Sequence, residues 1–371
     1  MTAKRRRPQP DPAPAPAPKR QQRTGSLRTL FPGILLTLTL PFLTDVLTPQ
    51  QRDAVAPATH LQYRECLAGV HHFLIEQQRR VRRSTDVDPE LVLYFQYLEE
   101  KGVWPAIGSK TLAAMLHFFP TLGPSMRIAF PGSYRALQGW QRHMPARSRL
   151  PLPFAGLVAI LIGLLGSGNI LIAVMLLTGF SAYLRPTELT SLLRRQLVAP
   201  LGPFQNFVLW MHPTDQNVAS KTGFFDETVV LDSAYTAFLA PFWRKLLEGD
   251  PLQPLWNVSQ QAVIKLIDRT TAALGLGRIC PGLYPLRHGG VSHDIVFQLR
   301  DLPAAQNRGR WATPKSLLRY QKAGRAQQMH QQLPLAVRQL TDFVEKENLL
   351  PRLFHYPAEA SRLLNRFGLT V

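Results

Sequence analysis

At 371 residues and 45% hydrophobic content, the chain is long enough for two ordinary domains plus tails and too apolar for a wholly disordered protein. Its 43 Lys+Arg stand against 24 Asp+Glu, a formal net charge of +19, which points to a polyanionic partner, nucleic acid ahead of an anionic membrane surface. The two cysteines, Cys66 and Cys280, lie far apart without metal-type spacing, which fits a reducing compartment and gives no support for a structural zinc or a disulfide framework.

Residues 1–50 read as a disordered, basic, proline-rich tail. Lys4-Arg5-Arg6-Arg7 precedes an alternating Pro/Ala run, and Lys19, Arg20 and Arg23 follow it. The prolines favour an extended chain with nothing apolar to bury. The basic cluster suits a nuclear import signal or a phosphate-binding arm, and equally a solvated linker with incidental charge. Leu30 to Leu43 is apolar, but Pro32, Gly33 and Pro41 interrupt it, and a secretory signal does not normally follow so long a tail.

Residues 51–146 read as a small all-helical, DNA-binding domain. Cys66, Leu67, Val70, Phe73 and Leu74 form one apolar stripe, and Arg79, Arg80, Arg82 and Arg83 follow it. Asp88-Pro89-Glu90 has the form of a helix start, with a capping carboxylate and a first-turn proline. Ser109 is expected to cap a third helix ending at Pro120, and a fourth is expected between Ser133 and Arg142. Arginines at helix ends, with aromatics on short helices, suit contacts to a duplex backbone, although such runs are often only solvated faces. Arg147 and Arg149 lie in the linker that follows and extend the basic set.

Pro151 to Phe180 carries no charged residue. A bilayer-crossing helix needs about 20 apolar residues, but Gly166-Ser167-Gly168-Asn169 splits this stretch into two pieces of core-helix length. Arg185 and Glu188 then sit three apart at the start of a helix that Pro186 can open, a spacing that lets them pair on one face. Phe207 to Met211 and Thr228 to Leu231 read as strands, with Ser220-Lys221-Thr222-Gly223 as a turn between them. Asp232 to Glu248 and Ser259 to Leu274 read as helices, the second closed by Gly275-Leu276-Gly277. Pro334 to Asn348 reads as another amphipathic helix.

One order of residues stands out: Arg185 with Glu188, Lys221 in a hairpin, Leu286-Arg287-His288-Gly289-Gly290, Gly309-Arg310-Trp311, and Tyr320 nine beyond Trp311. It resembles the tyrosine recombinase, or phage integrase, family over about Leu150 to Arg325. The resemblance implies a mainly α protein with a small β-sheet or hairpin. It would hold a helical core-binding domain, an α+β catalytic domain over residues 147–330 and a C-terminal helical tail over 331–371. The Leu-Arg-His-Gly-Gly and Gly-Arg-Trp wording looks most like recombinases of eukaryotic mobile elements, of the DIRS or Crypton type. That implies DNA integration or recombination in the nucleus, or in the cytoplasm or nucleoid if the source is not eukaryotic. Where the family has histidine three residues before the second arginine, this chain has Tyr284. Its hydroxyl can donate to a phosphate oxygen but is no base near neutral pH.

The resemblance also implies roles. Arg185 and Arg287 clamp the non-bridging oxygens of a phosphodiester with donors that stay charged at any working pH. Tyr320 is the nucleophile, on the C-terminal part of a helix capped by Thr313 and opened by Pro314. Lys221 protonates the leaving 5′-oxygen, and Trp311 offers its indole N–H to the phosphate. Glu188 orients Arg185, and His288 bonds the phosphate or braces Tyr320. The product is a 3′-phosphotyrosyl bond to double-stranded DNA, formed with no metal, cofactor or ATP by a homo-tetramer on paired sites. The C-terminal segment docks on a neighbouring protomer or packs back onto its own domain. The alternatives are a DNA-binding protein of the same fold that no longer cleaves and, from the uncharged stretch alone, a membrane-associated basic protein.

Overall fold

The computed structural model describes Leu27 and residues 47–145, 150–216, 225–277, 279–318, 320 and 323–371. It is mostly helical, with one small three-stranded antiparallel sheet. The chain divides into two compact units, Met1–Arg147 and Ser148–Val371. Most of the tail lies outside the described residues, as do Arg147, Arg149 and Lys221.

The N-terminal unit holds α1 (Pro49–Asp53), α2 (Pro57–Glu76), α3 (Val87–Glu100), α4 (Ala106–Phe118), α5 (Met126–Ala129) and α6 (Pro131–His143). Its core joins Cys66, Val70 and Phe73 of α2 to Leu91, Tyr94 and Leu98 of α3, Leu112 and Met115 of α4, and Leu137 and Trp140 of α6. Two expected helix starts move. The third helix begins at Ala106, after Pro105, rather than at Ser109. α3 begins at Val87, so Asp88 already lies within its first turn and does not cap it. Its carboxylate instead accepts from Gly132 N (2.8 Å), Ser133 N (2.8 Å) and Ser133 Oγ (2.6 Å). Asp88 therefore satisfies the free N–H groups of α6 from a neighbouring helix.

The second unit is built on α7 (Phe154–Gly166), whose residues from Ala155 to Leu165 are all buried. Gly168, with φ of +75°, turns the chain into α8 (Ile170–Ser181), which lies beside α7. The remaining helices are α9 (Pro186–Ser191), α10 (Ala240–Leu246), α11 (Gln260–Ala273), α12 (Tyr284–Val296), α13 (Leu302–Gly309), α14 (Pro314–Leu318), α15 (Ala323–Gln331), α16 (Leu335–Lys346), α17 (Leu350–His355) and α18 (Pro357–Arg366). α7 packs against α8, α11, α12, α16, α17 and α18. A helix surrounded on every side needs an apolar surface all round, which accounts for the uncharged stretch. Among the described residues no helix is long and apolar enough to cross a membrane. Val337, Leu340 and Val344 of α16, Phe354 of α17 and Leu364 of α18 all join the core around α7, so these last helices pack onto their own unit.

The sheet runs β1 (Leu197–Val198), β2 (Phe207–Met211), β3 (Glu227–Leu231), with Phe207 opposite Leu231 and Met211 opposite Glu227. Phe207, Leu209, Met211, Val229 and Leu231 face the core. The strand alternation therefore fixes which side of the hairpin Glu227 and His212 flank.

His293 of α12 stacks on Phe154 (centroids 4.6 Å, planes 22° apart) and meets Tyr235 edge-on at 5.4 Å. Burial pushes its pKa down to about 4. The folded protein thus keeps His293 neutral down to that pH, while the unfolded chain takes up a proton below about 6.5. Stability is lost as pH falls through that window. Between pH 7 and 4.5 the free energy of unfolding in urea should fall by about 2 kcal/mol less in His293→Phe than in the wild type. Equal falls in the two proteins would show that His293 titrates normally in the fold.

Candidate active site

The site begins where α8 stops. Tyr183 sits just past the end of α8 with φ of +51°, a left-handed position that glycine usually takes. Leu184 N returns to Gly179 O at 3.1 Å and closes the helix end. Arg185 follows in extended conformation as the N-cap of α9, with Pro186 at the first helical position. Its backbone N–H donates to Glu188 Oε2 at 2.7 Å, and its guanidinium pairs with Glu188 Oε1. The three-residue spacing thus lets Glu188 accept from both the backbone and the guanidinium of Arg185, a buried pair rather than a surface one, since the Glu188 side chain is only 3% exposed.

α12 approaches this turn closely because it carries Gly289 and Gly290. A Cβ on Gly290 would stand 2.0 Å from Phe180 O, and one on Gly289 would stand 2.3 Å from Leu152 O. Only glycine permits that contact. It brings the guanidinium of Arg287, 1% exposed, against the end of α8. Arg287 Nη1 donates to Tyr183 O and Nη2 to Gly309 O, each at 2.5 Å. Burial first, and then the like charges of Arg310 and Arg185, lower its pKa to about 10, against the opposing pull of Glu188 and Tyr320. It remains a cation at neutral pH.

α13 ends at Gly309, and Arg310 takes a left-handed conformation (φ 55°, ψ 49°). A Cβ on Gly309 would lie 1.8 Å from the ring of Trp311. The missing side chain is what lets the indole fold back across the turn. It covers Arg287, whose guanidinium carbon is 4.6 Å from the ring centroid. Trp311 also meets Tyr320 at 4.5 Å, and His288 stacks on Tyr320 at 4.4 Å with planes 22° apart. Arg287 is 6.0 Å from the Tyr320 ring centroid.

Tyr320 is not helical, contrary to expectation. α14 closes at Leu318, and Tyr320 N returns to Leu317 O at 2.8 Å in a turn. Its carbonyl accepts from Ser292 Oγ at 2.7 Å, which ties the turn to α12 in place of a further helical bond. Tyr284 opens α12, with its ring 6.2 Å from that of His288.

The sequence did not reveal the partners of Glu188. Arg310 Nη2 also binds Glu188 Oε2, Arg287 Nη1 stands 3.9 Å from the same oxygen, and His212 Nε2 stands 3.8 Å from Oε1. Arg310 Nε lies 3.4 Å from Glu227 Oε2. Burial alone would raise the Glu188 pKa, but Arg310, Arg185, the Arg185 backbone N–H and Arg287 outweigh it and hold the carboxyl below its usual range. Three guanidiniums, Arg185, Arg287 and Arg310, thus lie around two carboxylates, Glu188 and Glu227, so cation is in excess in this cluster. Arg310 was visible only as a letter between Gly309 and Trp311. Nothing local says that its left-handed backbone turns the side chain inward.

In the N-terminal unit Arg79 forms a two-point pair with Glu90, and Arg83 lies 3.4 Å from Asp86. Arg80 and Arg82 are exposed on the same connection. Among the described residues, no group of three His, Cys, Asp or Glu side chains is placed to hold a metal ion.

Arg310 and Glu188 are each only 3% exposed at the side chain. Breaking such a buried pair from one side costs roughly 3–5 kcal/mol. Arg310→Met should therefore lower the free energy of unfolding by about that amount. A loss under about 1 kcal/mol in urea denaturation would mean that Arg185 and Arg287 suffice to compensate Glu188.

No protein-family model and no curated protein matches the chain. Among solved structures, the XerH site-specific recombinase bound to its difH substrate in a pre-cleavage complex is similar over 75% of this chain and 86% of that one, at 14% identity and a TM-score of 0.37.

Proposed function

We propose that the chain is a DNA strand transferase that cuts and rejoins duplex DNA through a 3′-phosphotyrosyl bond to Tyr320. The observation that carries this reading is the placement of Tyr320 between His288 and Trp311, with Arg287 under the indole and Arg185 and Arg310 sharing Glu188. In the reaction the Tyr320 oxygen attacks the scissile phosphorus and the 5′-oxygen leaves. One phosphoester bond is exchanged for another, so no external energy is needed for resealing.

The charge that builds on the non-bridging oxygens is met by guanidiniums. Arg185, with its side chain 14% exposed, is the more accessible one. Arg287, packed against the Trp311 ring, is the second donor, and Trp311 adds its indole N–H. Each donor set is worth about 3 kcal/mol in the transition state, a hundredfold or more in rate. Lys221 supplies the leaving group's proton. The phenol of Tyr284, on the first turn of α12, donates to a phosphate oxygen where an imidazole would otherwise stand. The Leu286-to-Gly290 and Gly309-to-Trp311 wording supports a mobile-element recombinase working in a nucleus, as a tetramer on paired sites.

A second reading, a DNA-binding protein of this design that does not cleave, is favoured by two observations. Tyr284 replaces a potential base, and both terminal nitrogens of Arg287 already meet carbonyls. Nicked duplex suicide substrates of randomised sequence, resolved on denaturing gels, separate the two. Wild type should give a covalent adduct that Tyr320→Phe abolishes; an empty wild-type lane beside normal duplex binding leaves only the second reading. Arg185→Ala should lose at least about a hundredfold in adduct formation, with duplex affinity within a few-fold of wild type.

Lys221 has its own test. Lys221→Ala should slow adduct formation by about 10²–10⁴ with an ordinary phosphodiester. A 5′-bridging sulfur, which leaves without a proton, should restore most of that rate. If the sulfur substrate reacts as slowly as the oxygen one, Lys221 is not the acid.

A further inference from the structure

Behind the arginines lies a buried polar network to which the proposed chemistry assigns no part. Tyr183 is fully buried and left-handed, a conformation that costs a residue other than glycine about 1–2 kcal/mol and persists only where its surroundings impose it. Two groups on α12 impose it. Arg287 holds the Tyr183 carbonyl at 2.5 Å, and Asp294 accepts from the Tyr183 phenol at 2.5 Å. Asp294 follows Arg287 by seven residues, two helical turns, so both lie on one face of α12. Arg185 is two residues beyond Tyr183 in the chain.

Asp294 is itself held in place. Its carboxylate also accepts from Arg300 Nε at 3.2 Å and from the Tyr235 hydroxyl at 3.3 Å. Arg308 covers the Tyr183 ring at 5.5 Å and donates to Ser181 O at 2.6 Å, the last residue of α8. Burial pushes the Asp294 carboxyl up, and its bond from Tyr183 with the nearby charges of Arg308 and Arg300 offsets that only in part. A buried carboxylate of this kind is expensive unless its donors stay in register, so the network resists sliding of α8 against α12.

We propose that Asp294 is a positioning residue that acts through Tyr183 to fix the spacing between Arg185 and Arg287. The proposal rests on the strand-transfer reading. Tyr183 links the two arginines through the backbone, as Glu188 does through its carboxylate: the Tyr183 carbonyl receives one, and its chain leads into the other. The phenol–carboxylate bond sets the angle of that residue, and with it the separation of the two guanidiniums. A shift of the order of 1 Å in reacting geometry can cost about a hundredfold in rate without changing overall binding.

The test is single-turnover adduct formation at saturating suicide DNA, with wild type, Tyr183→Phe, Asp294→Asn and the double variant compared, and duplex affinity measured beside it. Tyr183→Phe is expected to slow adduct formation by about tenfold to a hundredfold while the Kd for DNA changes less than about twofold. Asp294→Asn, whose amide oxygen still accepts from the phenol, is expected to be slowed less. The double variant should be no slower than Tyr183→Phe, because both lesions break one link. A purely structural role would lower the fraction of active protein and the melting temperature, leave the rate constant of the folded fraction unchanged, and so overturn the proposal. Multiplying defects in the double variant would overturn it as well. Should Tyr183→Phe fail to fold, an Asp294→Asn rate constant equal to wild type does the same. An empty wild-type lane has a different meaning: the strand-transfer reading fails, and the positioning role falls with it.

Discussion

The second unit depends on one buried carboxylate. Burying cations is costly, and Arg185, Arg287 and Arg310 converge where little water reaches. Glu188 makes that convergence tolerable by binding two of them directly and standing near the third. Its own desolvation is repaid by the same contacts and by the backbone N–H of Arg185. The result is not neutral. The cluster gathers more guanidinium than carboxylate and so keeps a positive excess at this place in the fold.

Backbone detail explains how three chain segments meet at that carboxylate. Glycines at 289 and 290 let one helix lie on the end of another, and a glycine at 309 lets an indole fold flat over an arginine. Left-handed residues at Tyr183 and Arg310 aim a carbonyl and a guanidinium inward. These are small permissions and small strains, each of order 1 kcal/mol. Together they fix positions that no single strong interaction would define.

Much of the scaffold was legible in the sequence, because periodicity and caps are local signals. The helix read over Ser259 to Leu274 is α11, with Ser259 as its cap, and the strands 207–211 and 228–231 pair as a hairpin. The broken uncharged stretch became two core helices. What was not legible is tertiary. Asp88 looked like the cap of its own helix because the sequence cannot show that α6 begins beside it. Tyr320 looked helical because Thr313-Pro314 announces a helix, whereas the bond from Ser292 that draws it into a turn comes from another element. Arg310, His212 and Glu227 carry no spacing signal; Arg310 and His212 meet Glu188, and Glu227 meets Arg310, only through sheet register and a left-handed turn. β1, only two residues long, is too short for any pattern.

The burial of α7 has a consequence for how the protein is made. This helix has no polar face, and the partners that cover it come from far along the chain: Ser361 of the last helix bonds to Gly166 O across 195 residues. On a ribosome α7 emerges long before α16, α17 and α18 exist to shield it. Until they arrive, it presents an apolar surface of the kind that aggregates or recruits chaperones. Of the elements that carry the arginine cluster, α12 packs on α7 itself, so the cluster's footing includes a helix whose cover is completed last.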